Sequence, residues 1–374
     1  METIVIIGAG LAGATAATAL RENGHRGPIV LFGNEPHVPY ERPPLSKAYL
    51  LGKDPIDKAF VHPPGWYADN DIDLRIGTEV IAIDRVAKVV RTASDEQAYD
   101  RLLLALGAQP RKLPMAEEAG APTAYLRTIE DSDRIRTAFG PDKRIVFIGA
   151  GWIGLEAASA ARQSGAAVTV FDTAKLPLLK VLGAEVAQIF ADLHGEHGVD
   201  LRLGTEVNPA DLQGADLVVI GIGVTPTTIL AEEAGLDVAN GILVNGELCT
   251  SDADIYAIGD VANQDHPQLG RLRVEHWDTA IHQGRTVAAN LVGGHTVYDR
   301  MPYFFTDQYD LGMEYVGHAS PGADVILTGD PRARVFRAYW VEDGLITAAM
   351  HANDWDAIDH LRAALGHSPA DVES

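Results

Sequence analysis

Residues 3–24 read TIVIIGAGLAGATAATALRENG, and residues 144–165 read RIVFIGAGWIGLEAASAARQSG. Each stretch is a short β-branched run, a GxGxxG turn and an alanine-rich segment that closes on glycine. Branched side chains suit a strand, alanine suits a helix, and a terminal glycine suits a helix end. A further apolar run follows each, PIVLF at 28–32 and AVTVF at 167–171. The chain therefore carries two βαβ units built to one plan.

A second internal pair is closer still, IDLRIGTEV at 72–80 against VDLRLGTEV at 199–207. Each leads to an apolar strand that ends in glycine, RLLLALG at 101–107 and DLVVIGIG at 216–223, the latter closing on Gly223. The spacing differs between the copies: Gly13 to Ile72 is 59 residues, whereas Gly154 to Val199 is 45. The extra length of the first copy contains PYERPPLSK, residues 39–47, a proline-stiffened segment that carries Arg42 and Lys47. Pro43 and Pro44 cannot sit in a regular strand or helix interior, so the segment reads as a rigid clamp. Downstream, AIDRVAKVVRTASDEQAYD (82–100) leaves room for a small antiparallel insert, where the second copy has only NPADLQGA (208–215). The expected fold is α/β, with two Rossmann-like dinucleotide-binding domains, the second inserted in the first and trimmed nearly to its core.

In GxGxxG the first glycine allows the strand-to-helix turn, the second admits a pyrophosphate to the backbone, and the third lets helix and strand pack closely. The positive helix end then faces the phosphates. Gly8, Gly10 and Gly13 fill these roles in the first copy, and Gly149, Gly151 and Gly154 in the second. An acid about 20 residues on would bind an adenosine ribose. Glu35 stands there in the first copy, with Asn34 as a competitor, and Asp172 in the second. A 2′-phosphate would be repelled by Asp172, and DTAKLP offers only Lys175 to receive one, which favours NADH over NADPH. TSDADIYAIGD (250–260) reads as a strand that points Asp260 at a ligand hydroxyl. The following RLRVEHWDTAIHQGRTVAANL reads as a long helix whose start, near Glu275–Trp277, faces the same ligand.

Composition excludes several function classes. The 374 residues carry 30 basic and 52 acidic side chains, a net charge of −22, so nucleic acid and anionic membrane surfaces would be repelled. The single cysteine, Cys249, permits no internal disulfide and no thiolate-held zinc or iron–sulfur cluster, which fits a reducing cytoplasm. Without a CxxxxC pair, a dithiol reductase mechanism is ruled out. His194 and His197 have HxxH spacing, but Gly195 interrupts them and the pair reads as a solvated helix end, not a metal site. No apolar stretch reaches the roughly 18 residues that a membrane span needs.

YERPPLSK, GWIGLE, IYAIGD, EHWDTAIHQGR and DQYD, in that order, resemble the FAD-dependent NADH:ferredoxin reductases of multicomponent oxygenase systems, which have the glutathione reductase-type fold. The resemblance implies an FAD domain from residues 1–108 and 242–300, an NAD domain at 109–241, and a small α+β C-terminal interface domain at 301–374. It implies that Ala12 contacts FAD, that Lys47 sits beside the isoalloxazine with Arg42 toward the phosphate–ribityl side, and that Val80 touches the adenine end. Arg127, Asp260 and Trp277 would complete the flavin site, and Glu156 would lie near the nicotinamide. Hydride would pass from NADH to FAD, and electrons would then pass singly to a 2Fe–2S ferredoxin. Arg332, Arg334 and Arg337, or Arg271 and Arg273, are the candidate docking cations. Two other acceptor readings stand beside this one. The first is an NADH-dependent reductase of a quinone, monodehydroascorbate or oxygen; the second is an apoptosis-inducing-factor-like protein whose redox state governs association. The chain departs from the family at Leu106, where threonine is usual, and at Phe304 and Phe305, where many relatives place tryptophan.

Overall fold

The computed structural model describes residues 1–372, which form two compact units. One comprises Met1–Glu41, Ile56–Gln109 and Thr225–Pro302; the other comprises Arg42–Pro55, Pro110–Val224 and Tyr303 onward.

The first unit is built on a parallel sheet with the spatial order Ile255–Ala257, Arg101–Leu104, Ile4–Ile7, Ile29–Phe32, Ile72–Arg75. Its central strand, IVII, is buried along its whole length, because helices or other chain cover both faces of such a sheet. Helix Leu11–Glu22 packs on helix Trp277–Leu291. The approach is close enough that a Cβ at Gly284 would stand 2.9 Å from the Ala12 carbonyl oxygen. The expected insert is present as an antiparallel sheet of Val80–Asp84, Val89–Thr92 and Glu96–Ala98.

The second unit repeats the parallel sheet in the order Thr123–Tyr125, Leu217–Ile220, Arg144–Ile148, Ala167–Asp172, Asp200–Leu203. Four strands correspond one to one with those of the first unit, but the fifth differs in origin. In the first unit it arrives late in the chain, at Ile255–Ala257, and in the second it precedes the glycine motif, at Thr123–Tyr125. Between Leu203 and Leu217 lies only the short helix Pro209–Leu212.

An antiparallel sheet completes the second unit, in the order Tyr303–Gln308, Leu311–Gly317, Leu345–Ala352, Val335–Glu342, Asp324–Asp330. It shares one apolar core with the second parallel sheet: Val186 and Phe190 of helix Leu179–Glu196 cluster with Met313 and Trp340. Leu50 joins this core from the proline-rich segment. That segment opens with a tight helical turn, Pro43–Ser46, with proline at its start, where a missing N–H costs nothing. It is held by a hydrogen bond from the Ser132 hydroxyl to the Leu45 carbonyl (2.8 Å) and one from the Tyr49 hydroxyl to Asp133 (2.7 Å).

The HxxH pair is not a solvated helix end. His194 is fully buried, with Nε2 2.8 Å from Gln308 Oε1, because helix Leu179–Glu196 presses this face onto strand Tyr303–Gln308. His197 stacks on the Tyr309 ring at 3.7 Å. Among the described residues, no helix is long and apolar enough to cross a membrane.

Burial pushes His194 down to about 4, from an ordinary value of 6.5. The unfolded chain therefore binds the extra proton first, so stability is lost as pH falls from about 6.5 toward 4, by up to about 3 kcal/mol. His194→Gln, which cannot titrate, should flatten this part of the pH–stability curve when urea midpoints are compared with those of the parent protein.

Candidate active site

The two glycine motifs adopt the same geometry. Gly8 has φ +114°, and a Cβ there would lie 2.1 Å from the Ala105 carbonyl oxygen. Gly149 has φ +107°, and its Cβ would lie 2.3 Å from the Gly221 carbonyl oxygen. The third glycines are equally constrained: a Cβ at Gly13 would sit 2.0 Å from the Gly8 carbonyl oxygen, and one at Gly154 2.2 Å from that of Gly149. The middle glycines are different. A Cβ at Gly10 or Gly151 would meet nothing within 4 Å. Each caps a twelve-residue helix in extended conformation without a side-chain cap. The first turns thus offer open space, uncapped amides and the positive helix end, which suits a pyrophosphate. Both cradles therefore fit a bound dinucleotide.

Asp172 ends strand Ala167–Asp172, whereas Glu35 lies three residues past the end of strand Ile29–Phe32. Asp172 is held by the backbone: Oδ2 accepts from the Ala150 N–H and Oδ1 from the Ala174 N–H, both at 2.7 Å. Glu35 accepts from the Tyr40 hydroxyl. Elsewhere in the first unit, Gly259 has φ +71°, and its N–H donates to Gln283 Oε1 at 2.8 Å. A Cβ on Gly259 would stand 3.2 Å from that of Ala12, so the Gly-Asp turn bearing Asp260 lies on the glycine-motif helix. The Asp260 carbonyl accepts from Arg273 at 2.9 Å. Trp277 begins its helix and donates Nε1–H to Glu41 Oε2 at 3.0 Å, and burial holds that carboxyl above its usual range despite the bond. Val80 is buried at the start of the insert's first strand.

Arg42, Lys47 and Arg127 fall in the second unit, together with Glu156, Asp172 and Gly223. Arg42 donates to the Arg127 carbonyl, while the Arg127 N–H donates to Asp131 Oδ2 at 2.9 Å. Gly223 has φ +98°, and its carbonyl accepts from the Arg111 N–H at 3.0 Å. Lys47 and Glu156, expected in separate roles, form an ion pair, with their side chains 15% and 4% exposed. The Glu156 carboxylate also accepts from the Ser46 hydroxyl through Oε2 and from the Thr306 hydroxyl through Oε1, both at 2.5 Å. Neither hydroxyl was among the expected site residues. Ser46 sits beside Lys47 in PPLSK, and Thr306 sits just before DQYD, which is the signal that could have found them. Lys47 also lies over the Phe305 ring, 5.5 Å from its centre. Burial raises the Asp307 carboxyl, with Lys47 opposing and Glu156 and Glu314 adding to the shift.

Four of the five candidate docking arginines have acidic neighbours. Arg334 pairs with Glu196 and Asp310, Arg337 with Asp354, Arg273 with Glu275 and, more distantly, Arg271 with Asp265. Cys249 is half-buried against the first unit's core, and burial pushes its thiol up, away from nucleophilic character.

The family described as pyridine nucleotide-disulphide oxidoreductase matches residues 2–284, and a reductase C-terminal family matches residues 303–371. The ferredoxin–NAD(+) reductase component of the anthranilate 1,2-dioxygenase system of Burkholderia cepacia is 38% identical, covering 94% of this chain and 91% of its own length. Putidaredoxin reductase of Pseudomonas putida is also 38% identical, covering 94% of this chain and 89% of its own. The crystal structure of a covalent putidaredoxin reductase–putidaredoxin complex is similar over the whole of this chain and 96% of that one, with a TM-score of 0.93 at 36% identity. The likeness to ferredoxin reductases read from the sequence motifs is thereby borne out.

The glycine geometry separates folding from binding. Gly10→Ala and Gly151→Ala should cost about 1 kcal/mol or less in stability. Each should weaken its dinucleotide by at least about tenfold, measured as retained flavin for the first and NADH affinity for the second. Gly13→Ala and Gly154→Ala should instead fail to give folded protein. The ion pair yields a second expectation: Lys47→Met strands a buried carboxylate and should cost about 3–5 kcal/mol in urea unfolding. Adding Glu156→Gln should recover most of that loss without restoring flavin reduction by NADH.

Proposed function

The chain belongs to the pyridine nucleotide-disulphide oxidoreductase family, and from that premise we propose that it is an NADH-dependent, FAD-containing ferredoxin reductase serving an oxygenase. The observation that carries this reading is the doubled cradle, two helix starts of one geometry, each with an uncapped amide turn. A ferredoxin acceptor is supported by the relatives, one named as a ferredoxin–NAD(+) reductase component and one as putidaredoxin reductase, and its 2Fe–2S cluster rests on the family resemblance.

We assign FAD to the first cradle, with Gly8, Gly10, Ala12, Gly13, Glu35, Val80, Asp260 and Trp277. Arg42, Lys47 and Arg127 are assigned to the flavin on the family resemblance. NADH is assigned to Gly149, Gly151, Gly154, Glu156, Asp172 and Gly223. On the same basis, residues 1–108 and 242–300 are the flavin domain, 109–241 the NAD domain and 301–374 the interface domain. The cytoplasm is the compartment that suits the lone thiol.

FAD bound there would supply the conversion of a hydride into two single electrons. The protein's part is to bind, orient and tune. The open glycines receive phosphate oxygens on backbone amides, and Asp172, fixed by two N–H donors, presents a carboxylate to the ribose. Lys47 supplies a cation that the Phe305 face and Glu156 hold in one place. Glu156 in turn accepts from the Ser46 and Thr306 hydroxyls and pairs with that cation. No protein nucleophile takes part.

An acceptor panel with purified protein tests the reading: rapid multiple turnover with NADH and a 2Fe–2S ferredoxin, and slow turnover with quinones. Equal rates with quinones would favour the small-acceptor alternative, and a colourless preparation that FAD cannot restore would sink the flavoprotein reading. Asp172→Ala should narrow the preference for NADH over NADPH by about tenfold in kcat/KM, equivalent to about 1.4 kcal/mol.

A further inference from the structure

Four side chains of the second unit form one hydrogen-bonded chain that lies outside both glycine cradles except at its end. His194 Nε2 is 2.8 Å from Gln308 Oε1, Gln308 Nε2 donates to Thr306 Oγ1 at 3.2 Å, and Thr306 Oγ1 donates to Glu156 Oε1 at 2.5 Å. His194 and Thr306 are fully buried, Gln308 is 1% exposed and Glu156 4%. The chain joins helices Trp152–Gln163 and Leu179–Glu196, neighbours in sequence, to strand Tyr303–Gln308, more than a hundred residues later.

The carboxylate dictates the direction of every bond. A charged Glu156 only accepts, so the Thr306 proton points at it, and the Thr306 oxygen must then accept from the Gln308 amide N–H. That leaves the Gln308 carbonyl oxygen facing the imidazole, which puts a proton on His194 Nε2. Each donor thus points toward Glu156, and aligned donors in a low-dielectric interior strengthen one another. His194 Nδ1 is buried without a hydrogen-bond partner among the described residues, and burial pushes the ring down to about 4, so it stays neutral. The other groups that bear on the chain are few. Lys47, Ser46 and Asp307 act on Glu156, with Glu314 acting on Asp307; His197 and Tyr309 face His194, and Arg162 acts on Tyr309.

We propose that His194, Gln308 and Thr306 are a positioning chain that keeps Glu156 ionised and turned toward Lys47, so that the HxxH helix tunes the hydride-transfer site from outside it. The proposal deepens the reductase reading and rests on its placement of Glu156 beside the nicotinamide. His194 and Gln308 touch no reacting atom in this scheme; they act through Thr306 on the carboxylate.

The test uses the holoprotein in two measurements. Infrared spectra of protein carrying 13C-labelled glutamate, with the band lost in Glu156→Gln taken as Glu156, follow its protonation in the absence of NADH. Stopped-flow flavin reduction by NADH then gives the pH profile of the chemical step. His194→Phe and Gln308→Leu remove a donor, so Glu156 should protonate about one pH unit higher and the acid limb of flavin reduction should move by the same amount. The limiting rate should fall about three- to tenfold with little change in KM for NADH. His194→Gln keeps a donor and should restore both curves. An unshifted Glu156 band in folded His194→Phe overturns the proposal, as does equal impairment of His194→Gln. If the band shifts while the reduction profile does not, the chain holds and the placement of Glu156 at the nicotinamide fails instead. Should His194→Phe not fold, Thr306→Val, which deletes the last donor, decides the matter by the same band.

Discussion

The second unit depends on one buried charge. Glu156 is a carboxylate with 4% of its side chain exposed, and an isolated ion in such a place would cost several kcal/mol. It is tolerated because three groups converge on it: the Lys47 ammonium and the Ser46 hydroxyl from the proline-rich segment, and the Thr306 hydroxyl from the C-terminal sheet. Satisfying this one side chain therefore ties helix Trp152–Gln163 to two pieces of chain that its own βαβ unit does not contain. This is a physical reason why Arg42–Pro55, which lies in sequence between two strands of the first unit, is packed in the second. The prolines contribute by fixing the turn Pro43–Ser46, so that Ser46 and Lys47 leave it in set directions.

What could be read in the sequence was what local chemistry determines. The two glycine motifs were legible because each glycine answers a backbone demand within a few residues, and the structure reproduces those demands copy for copy. The antiparallel insert was legible from its length. The fifth strands were harder. Thr123–Tyr125 is three residues long, too short for any periodicity, and its place is set by the open edge beside Leu217–Ile220. The sequence reading of that region found only Arg127.

Side chains whose roles depend on distant partners were illegible for the same reason. Gly195 and Glu196 give the end of helix Leu179–Glu196 a polar look, and the exposed side of that turn is what the HxxH pattern reported. His194 points the other way, and only strand Tyr303–Gln308, more than a hundred residues later, buries it. The arginine clusters illustrate the converse. Arg334 and Arg337 read as a basic patch, but with 52 acids against 30 bases a folded arginine meets a carboxylate readily, and Glu196, Asp310 and Asp354 do so here. A run of cations in an acidic chain is therefore weak evidence of a basic surface.

Two neighbouring aromatic side chains of strand Tyr303–Gln308 take different partners around the buried charge. Phe304 stacks on Tyr315 at 4.7 Å and leans on Trp152 at 4.9 Å, so it ties the C-terminal sheet to the first residue of the second glycine-motif helix. Phe305 instead presents its face to Lys47. A tryptophan at 305 would bring an indole N–H beside Lys47, where Phe305 offers only a ring face to the cation. Phenylalanine meets the packing demand and the cation without adding a donor. The buried charge that recruits the proline segment thus also draws an aromatic face of the neighbouring strand onto its cation.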